Sequence, residues 1–231
     1  LRGTDLAPQG RLRMAAVPTA IPILSRFAAV LQQRHPGIVP VVLSMSSRDL
    51  EQGLEDLSLD LALGYSERMQ TQGANLRAWP QCIERYYLLR RSAGPASQLR
   101  IGVPVTWAEA ARHPLVLLTQ EMHNRSIIDT ALRESGMPVA PAIETNSVLT
   151  LVLSVLAGDV CSVLPGAMVA AVRSEPNLEA LPLVEPEVRT PIGFMTQRGP
   201  RVSRALGSAL ELLDNPLWKG QLAAHYGDLP G

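Results

Sequence analysis

Two α/β lobes are what this sequence predicts, and three observations carry the prediction. Three strand-then-helix repeats follow one another before Tyr65, and a second such series runs from Pro114 to Pro165. Two extended segments, near Trp79–Glu84 and Pro191–Arg198, are placed to carry the chain from one lobe to the other and back. Strand–helix–strand repeats of this kind build parallel sheets with right-handed crossovers. The 231 residues are enough for one large α/β domain or two small ones, each with a core of its own.

The first strand is the apolar run Leu12–Val17, closed by Pro18-Thr19. Ile21–Arg34 then places Ile23, Leu24, Phe27, Val30 and Leu31 at helical spacing, and His35-Pro36-Gly37 ends that helix. Val39–Leu43 is β-branched, and Pro40, which donates no hydrogen bond to a ladder, sets it near a sheet edge. Ser46 and Ser47 suit a helix cap, followed by Leu50, Leu54 and Leu57 on one face, and Leu59–Leu63 reads as the third strand. Ser66–Asn75 is polar and reads as a surface loop.

Glu84–Arg91 opens the second lobe as a long strand, with Ser92–Leu99 a small, polar connection. Thr106 introduces a short helix at Trp107–Arg112, and Pro114 opens the strand Leu115–Leu118. A helix is expected from Ser126 to Glu134, ended by Gly136, with a strand at Val139–Ile143. In Glu144–Pro165 a polar cluster, Thr145-Asn146-Ser147, caps the apolar run Val148–Ala157, which implies a helix buried on most sides. Gly158-Asp159 stops it, and Val160–Leu164 forms a strand that Pro165 ends. Strands at Leu178–Val184 and Ile192–Gln197 and a helix at Ser203–Asp214 complete the pattern.

Composition removes several functions. Aromatic residues are 4%, too few for a base-stacking surface. Lys plus Arg and Asp plus Glu are 21 each, so no positive field draws this chain to DNA or to an anionic membrane. The longest apolar region, Ser147–Val172, is broken before it reaches membrane-spanning length, and Leu1–Arg13 has no signal-peptide core. Cys82 and Cys161 lie far apart without CxxC spacing, and the four histidines show no metal-binding spacing, so neither a metal nor another cofactor is expected. No nucleophile elbow, phosphate loop or dinucleotide fingerprint occurs in a strand-to-helix context, and the chain is not expected to be an enzyme.

In open α/β sheets a ligand sits outside the carboxyl ends of the strands. Here those ends carry Pro18-Thr19, Ser46-Ser47, Gly64-Tyr65, Thr119-Gln120 and Pro165, with Asn146-Ser147 opening the apolar helix. Thr19, Ser46, Ser47 and Ser147 are each good caps with or without a ligand, worth roughly 0.5–2 kcal/mol apiece in that role. Their shared position supports a binding site for a small anion, since helix N-termini attract negative charge.

Gly10-Arg11-Leu12-Arg13 opening a strand into Pro18-Thr19, RHPG at 34–37 and LDLALGY at 59–65 resemble the effector-binding domain of LysR-type transcriptional regulators. So do HPLVLLTQ at 113–120, Glu144–Pro165 and PIGFMTQRG at 191–199. The resemblance implies a type 2 periplasmic-binding-protein-like fold of two Rossmann-like subdomains joined by two crossover strands. Residues 1–81 and 193–231 would form the first subdomain and 82–192 the second. It implies a small anionic effector held between them by Pro18, Thr19, Ala20, Ser46, Ser47, Gly64, Tyr65, Thr119, Asn124, Arg125, Asn146, Ser147 and Pro165. Arg125 would be a bidentate carboxylate partner or else a surface ion pair. DNA would be read only by a helix-turn-helix preceding this domain, with residues 1–9 ending the linker. The protein would be cytoplasmic and a homodimer or homotetramer, packing the exposed side of Leu24, Phe27 and Leu31 against Ser126–Leu132 of a second copy. The competing readings are a secreted solute-binding protein of the same fold and an unrecognised lyase or transferase on it.

Overall fold

The computed structural model describes residues 7–71, 75–94, 96–138, 140–199 and 202–226. Residues 1–6, most of the expected linker, lie outside this set, as does Val139. The chain divides into two compact units, one of residues up to Gln81 together with Pro191–Ala224, the other Cys82–Thr190.

Along the chain come β1 (Gly10–Ala16), α1 (Ile21–Arg34), β2 (Ile38–Ser44), α2 (Ser47–Glu55), β3 (Leu61–Tyr65), α3 (Ser66–Thr71) and β4 (Leu76–Glu84). Then follow β5 (Tyr86–Arg91), β6 (Arg100–Ile101), β7 (Val105–Thr106), α4 (Trp107–Ala110), β8 (Leu115–Leu118), α5 (His123–Glu134) and β9 (Ile143–Thr145). The chain ends with α6 (Val148–Ala157), β10 (Cys161–Pro165), α7 (Gly166–Ala171), β11 (Leu178–Val184), β12 (Thr190–Gln197), α8 (Arg204–Asp214) and α9 (Pro216–Tyr226).

The first unit is a sheet in the order β2-β1-β3-β12-β4. β1 runs parallel to both β2 and β3, with Met14 opposite Val42 on one side and Leu61 on the other. Pro40 does fall on an edge strand, where its missing N–H costs no ladder bond. Leu24, Phe27 and Leu31 of α1 are fully buried, with the Phe27 ring 4.8 Å from Phe194 and 5.1 Å from Trp218. This corrects the expectation that their side of α1 is free to meet a second copy: α8, α9 and β12, drawn from the far end of the chain, supply its apolar neighbours. Leu57 does not continue the α2 stripe, because the chain has left the helix there at φ 61° and turned the side chain into solvent.

In the second unit the sheet runs β6-β11-β5-β10-β8-β9, with β7 on β11. Period-2 alternation sends its side chains to two separate cores. Tyr86, Leu88, Leu115, Leu117, Cys161 and Val163 meet α4 and α5 on one face. Tyr87, Leu89, Val116, Leu118 and Leu164 meet α6 and α7 on the other. A sheet covered on both faces explains why these strands read as unbroken apolar runs.

Several elements differ from expectation. Ser66–Thr71 is a helix rather than a loop, and the long strand at Glu84–Arg91 is two strands separated at Arg85. α5 begins at His123, three residues early, with Met122 at its N-cap and no side-chain cap, so no Ser, Thr, Asp or Asn marks its start. The strand expected at Val139–Ile143 lies at Ile143–Thr145, paired with β8. α6 is buried on one side only: Leu151, Val152 and Val155 enter the core, whereas Leu149 is 64% and Leu153 52% exposed.

Candidate functional site

Each unit places a topological switch point at the carboxyl ends of its parallel strands. In the first, β1 lies between β2 and β3, and in the second β8 lies between β9 and β10. Such points leave a gap above the sheet because the connections depart to opposite sides.

In the first unit the gap is bordered by the turn Pro18–Ala20, which leads from β1 into α1 and is wholly buried. Val17 N donates to Leu63 O across the β1–β3 step (3.1 Å), bringing this turn beside Gly64 and Tyr65. A Cβ on Gly64 would lie 3.3 Å from Leu50 and 3.5 Å from Val17, so the glycine permits close packing there. Thr19 is fully buried, and its Oγ1 meets no hydrogen-bond partner among the described residues. Ser46 caps α2, its Oγ accepting from Asp49 N at 3.2 Å and donating to Asp49 Oδ2 at 2.7 Å. Ser47 differs: it is buried, and its Oγ has no partner among the described residues.

In the second unit Thr119 follows β8, its N donating to Thr145 O (2.9 Å) and its Oγ1 to Glu121 (2.7 Å). Thr145 Oγ1 accepts from Ser147 N, and Ser147 Oγ caps α6 by accepting from Thr150 N at 3.3 Å. Asn146 is exposed beside it, and Pro165 ends β10, buried, where the chain turns into α7. Asn124 is buried in the first turn of α5 with its Nδ2 unpartnered among the described residues. Arg125 is in an ion pair, but a buried one. Its Nε donates to Asp129 (2.7 Å) and its Nη1 to Glu144 (2.6 Å) and to Leu118 O (2.8 Å). Its own burial lowers the guanidinium's proton affinity; Glu144 and Asp129 more than offset this and hold it above its usual range. Two of its three nitrogens are thus engaged with the protein, and it ties α5 to the ends of β8 and β9.

One residue escaped the sequence reading. Glu84, in β4 next to the passage between units, is buried with both carboxylate oxygens lacking a partner among the described residues. Burial pushes its carboxyl up to about 8. The only signal available beforehand was an acid adjoining an apolar strand. Cys82 is pushed up to about 12, by burial first and then by Glu84, and burial also raises Cys161. Thiols held protonated are poor nucleophiles. Among the described residues no three His, Cys, Asp or Glu side chains form a group able to hold a metal.

Two α/β units joined through β4 and β12, each with polar groups at a switch point, define a ligand-binding domain of the type 2 periplasmic-binding-protein-like class. The sequence matches the LysR substrate binding domain over residues 6–216, and the chain belongs to that family. It is therefore an effector-sensing regulatory domain, and the secreted solute-binding reading is not favoured. Its fold is similar to the reduced OxyR regulatory domain of Pseudomonas aeruginosa, at TM-score 0.70 and 19% identity, covering 90% of this chain and 98% of that one. It is similar to the Synechocystis PCC6803 CcmR regulatory domain in complex with 2-PG, at TM-score 0.72 and 17% identity, covering 96% and 100%. The C-terminal domain of a probable LysR family regulator from Rhodococcus sp. RHA1 matches at TM-score 0.71 and 17% identity, covering 90% and 100%. No curated protein sequence matches the chain.

Proposed function

We propose that Thr19 and Ser47 in the first unit and Asn124 in the second are the effector contacts of this regulatory domain. The supporting observation is that all three are buried at strand carboxyl ends with a polar atom unpaired among the described residues. A buried polar group left unpaired costs about 1–3 kcal/mol, and a bound effector removes that cost. Pro18, Ala20, Gly64, Tyr65, Thr119, Asn146, Ser147 and Pro165 shape the surroundings, and Ser46 and Arg125 hold α2 and α5 in place. A small anion is the effector class, since 2-PG occupies a relative of the same fold. The domain performs no chemistry on it. Signalling requires only that the ligand bind two states of the domain unequally.

DNA is contacted by a separate N-terminal domain, a division supported by the equal acid and base counts of this chain. The protein works in the cytoplasm, as LysR-type regulators do. It pairs with a second copy: Val39, Val42 and Leu43 on the edge strand β2 and Leu149 and Leu153 on α6 are exposed apolar groups, one patch on each unit. A two-fold pairing of β2 on one copy with α6 on the other buries both patches twice.

The test is a thermal-shift screen of 2-PG and other metabolite carboxylates, followed by calorimetry. A ligand at a hundred times its Kd stabilises the native state by about 2.7 kcal/mol. Thr19→Val and Ser47→Ala are each expected to weaken the best ligand about tenfold, or 1.4 kcal/mol. Unchanged affinity in both variants removes these hydroxyls from the site.

A further inference from the structure

A groove of about 420 Å³ lies wholly within the second unit, between α5 and residues 186–189. Its helix wall runs from His123 through Ser126, Ile127, Thr130 and Ala131 to Glu134, the spacing of one helix face. At 1.5 Å per residue that wall is ~16 Å long. Neither Asn124 nor Arg125 lines it, so it is separate from the switch point and independent of the effector reading.

The floor is apolar. Ile127 and Ala131 face Pro186 and Val188, and Ile127 and Val188 rest on the core beneath. The two hydroxyls of its helix wall present acceptors. Ser126 donates its hydroxyl to His123 O, and its oxygen lies 3.2 Å from His123 Nδ1. Thr130 donates to Ser126 O and accepts from Arg133. Both hydroxyl protons are thus used within the helix, and what remains toward the groove is lone pairs. Arg189, the cation of the lining, is turned onto Glu187 at 2.7 Å. Glu134 makes no ion pair among the described residues, and it stands at the carboxyl end of α5, where the helix dipole favours positive charge.

We propose that this groove is a second ligand site, for a small aliphatic amine. Its hydrocarbon chain covers Ile127, Ala131, Pro186 and Val188, and its ammonium donates to Glu134. An ammonium offers three donors and no acceptor, the complement of a wall that offers acceptors. Charge decides against the isosteric carboxylate, which would meet Glu134 and the helix carboxyl end with like sign.

The experiment is a titration of the ¹⁵N-labelled chain with n-pentylamine and 1,5-diaminopentane, with pentanoate as the anion of matching length. The expected result is saturable amide shifts confined to Ser126–Glu134 and residues 187–189 with either amine and none with pentanoate. Glu134→Gln should weaken the amine about tenfold. No shift at about 10 mM amine, a concentration that populates even a 1 mM site, overturns the proposal. So do equal shifts with pentanoate, amine binding unchanged in Glu134→Gln, or shifts that follow dilution of the protein instead of added amine, which would assign the groove to a second copy.

Discussion

Thr19 and Glu84 are both buried without a partner among the described residues, and the two differ in what pH does to them. For Thr19 the unpaired hydroxyl costs stability at every pH until something donates to it or accepts from it. Thr19→Val is close in shape, so it should stabilise the ligand-free domain by about 1 kcal/mol while weakening the effector. Opposite signs in urea unfolding and in calorimetry distinguish a binding residue from a packing one. For Glu84, burial raises the folded-state value from 4.5 to about 8. Between those limits the folded state keeps a proton that the unfolded state has lost. Stability is therefore greatest below pH 4.5 and falls as pH rises toward 8, by at most about 1.4 kcal/mol per pH unit. Glu84→Gln cannot ionise and is expected to flatten that slope and to be the more stable protein at pH 8.5. Identical slopes in urea titrations of the two would show that the carboxyl finds a partner in solution. At this scale the sequence was partly legible: Ser46 and Ser47 are adjacent and chemically alike, and only the helix phase at α2 decided that Ser46 caps and that the Ser47 hydroxyl is left unpaired among the described residues.

Elements are held together here by a few side chains that a linear reading assigns to other work. Arg125 binds α5 to β8 and β9 through Asp129, Leu118 O and Glu144. Removing a buried charge strands its partners, which costs 3–5 kcal/mol when all are buried. Asp129 and Glu144 are partly exposed and recover some hydration, so Arg125→Met should cost about 2 kcal/mol in urea unfolding. A loss below about 0.5 kcal/mol, the range of a surface pair, would show that the network is not a structural tie. The strands of the first unit and its helices α1, α2 and α8 were readable because turn residues and periodicity agree there, and α1 occupies Ile21–Arg34 as its pattern predicts, whereas α3 and α9 went unread. β6 and β7 were not, since two-residue strands carry no period and exist only because β11 offers its edge. α6 was half readable. Its apolar composition marks a helix, but composition does not say how many of its sides the rest of the chain covers.

For the whole molecule, equal numbers of acids and bases leave association to apolar surface and local pairs rather than to long-range attraction. Leu149 and Leu153, one turn apart on the outer side of α6, provide such surface. Sedimentation of the wild-type chain at tens of micromolar should show dimers or larger species, and Leu149→Glu with Leu153→Glu should give a folded monomer. A wild-type monomer at high micromolar concentration would count against this surface. The succession of the main strands and helices, though not α3, α7, α9, β6 or β7, the edge placement of β2 and the family followed from sequence alone, because proline, glycine and apolar period act over a few residues and their succession along the chain is itself the pattern. Which apolar faces are buried, which hydroxyl remains unpaired and where Arg125 spends its charge were decided by the tertiary structure. Each depends on what residues distant in sequence bring alongside: Phe194 and Trp218 bury Phe27, and Glu144 meets Arg125. Burial and pairing are properties of three-dimensional neighbours, and no local pattern encodes them.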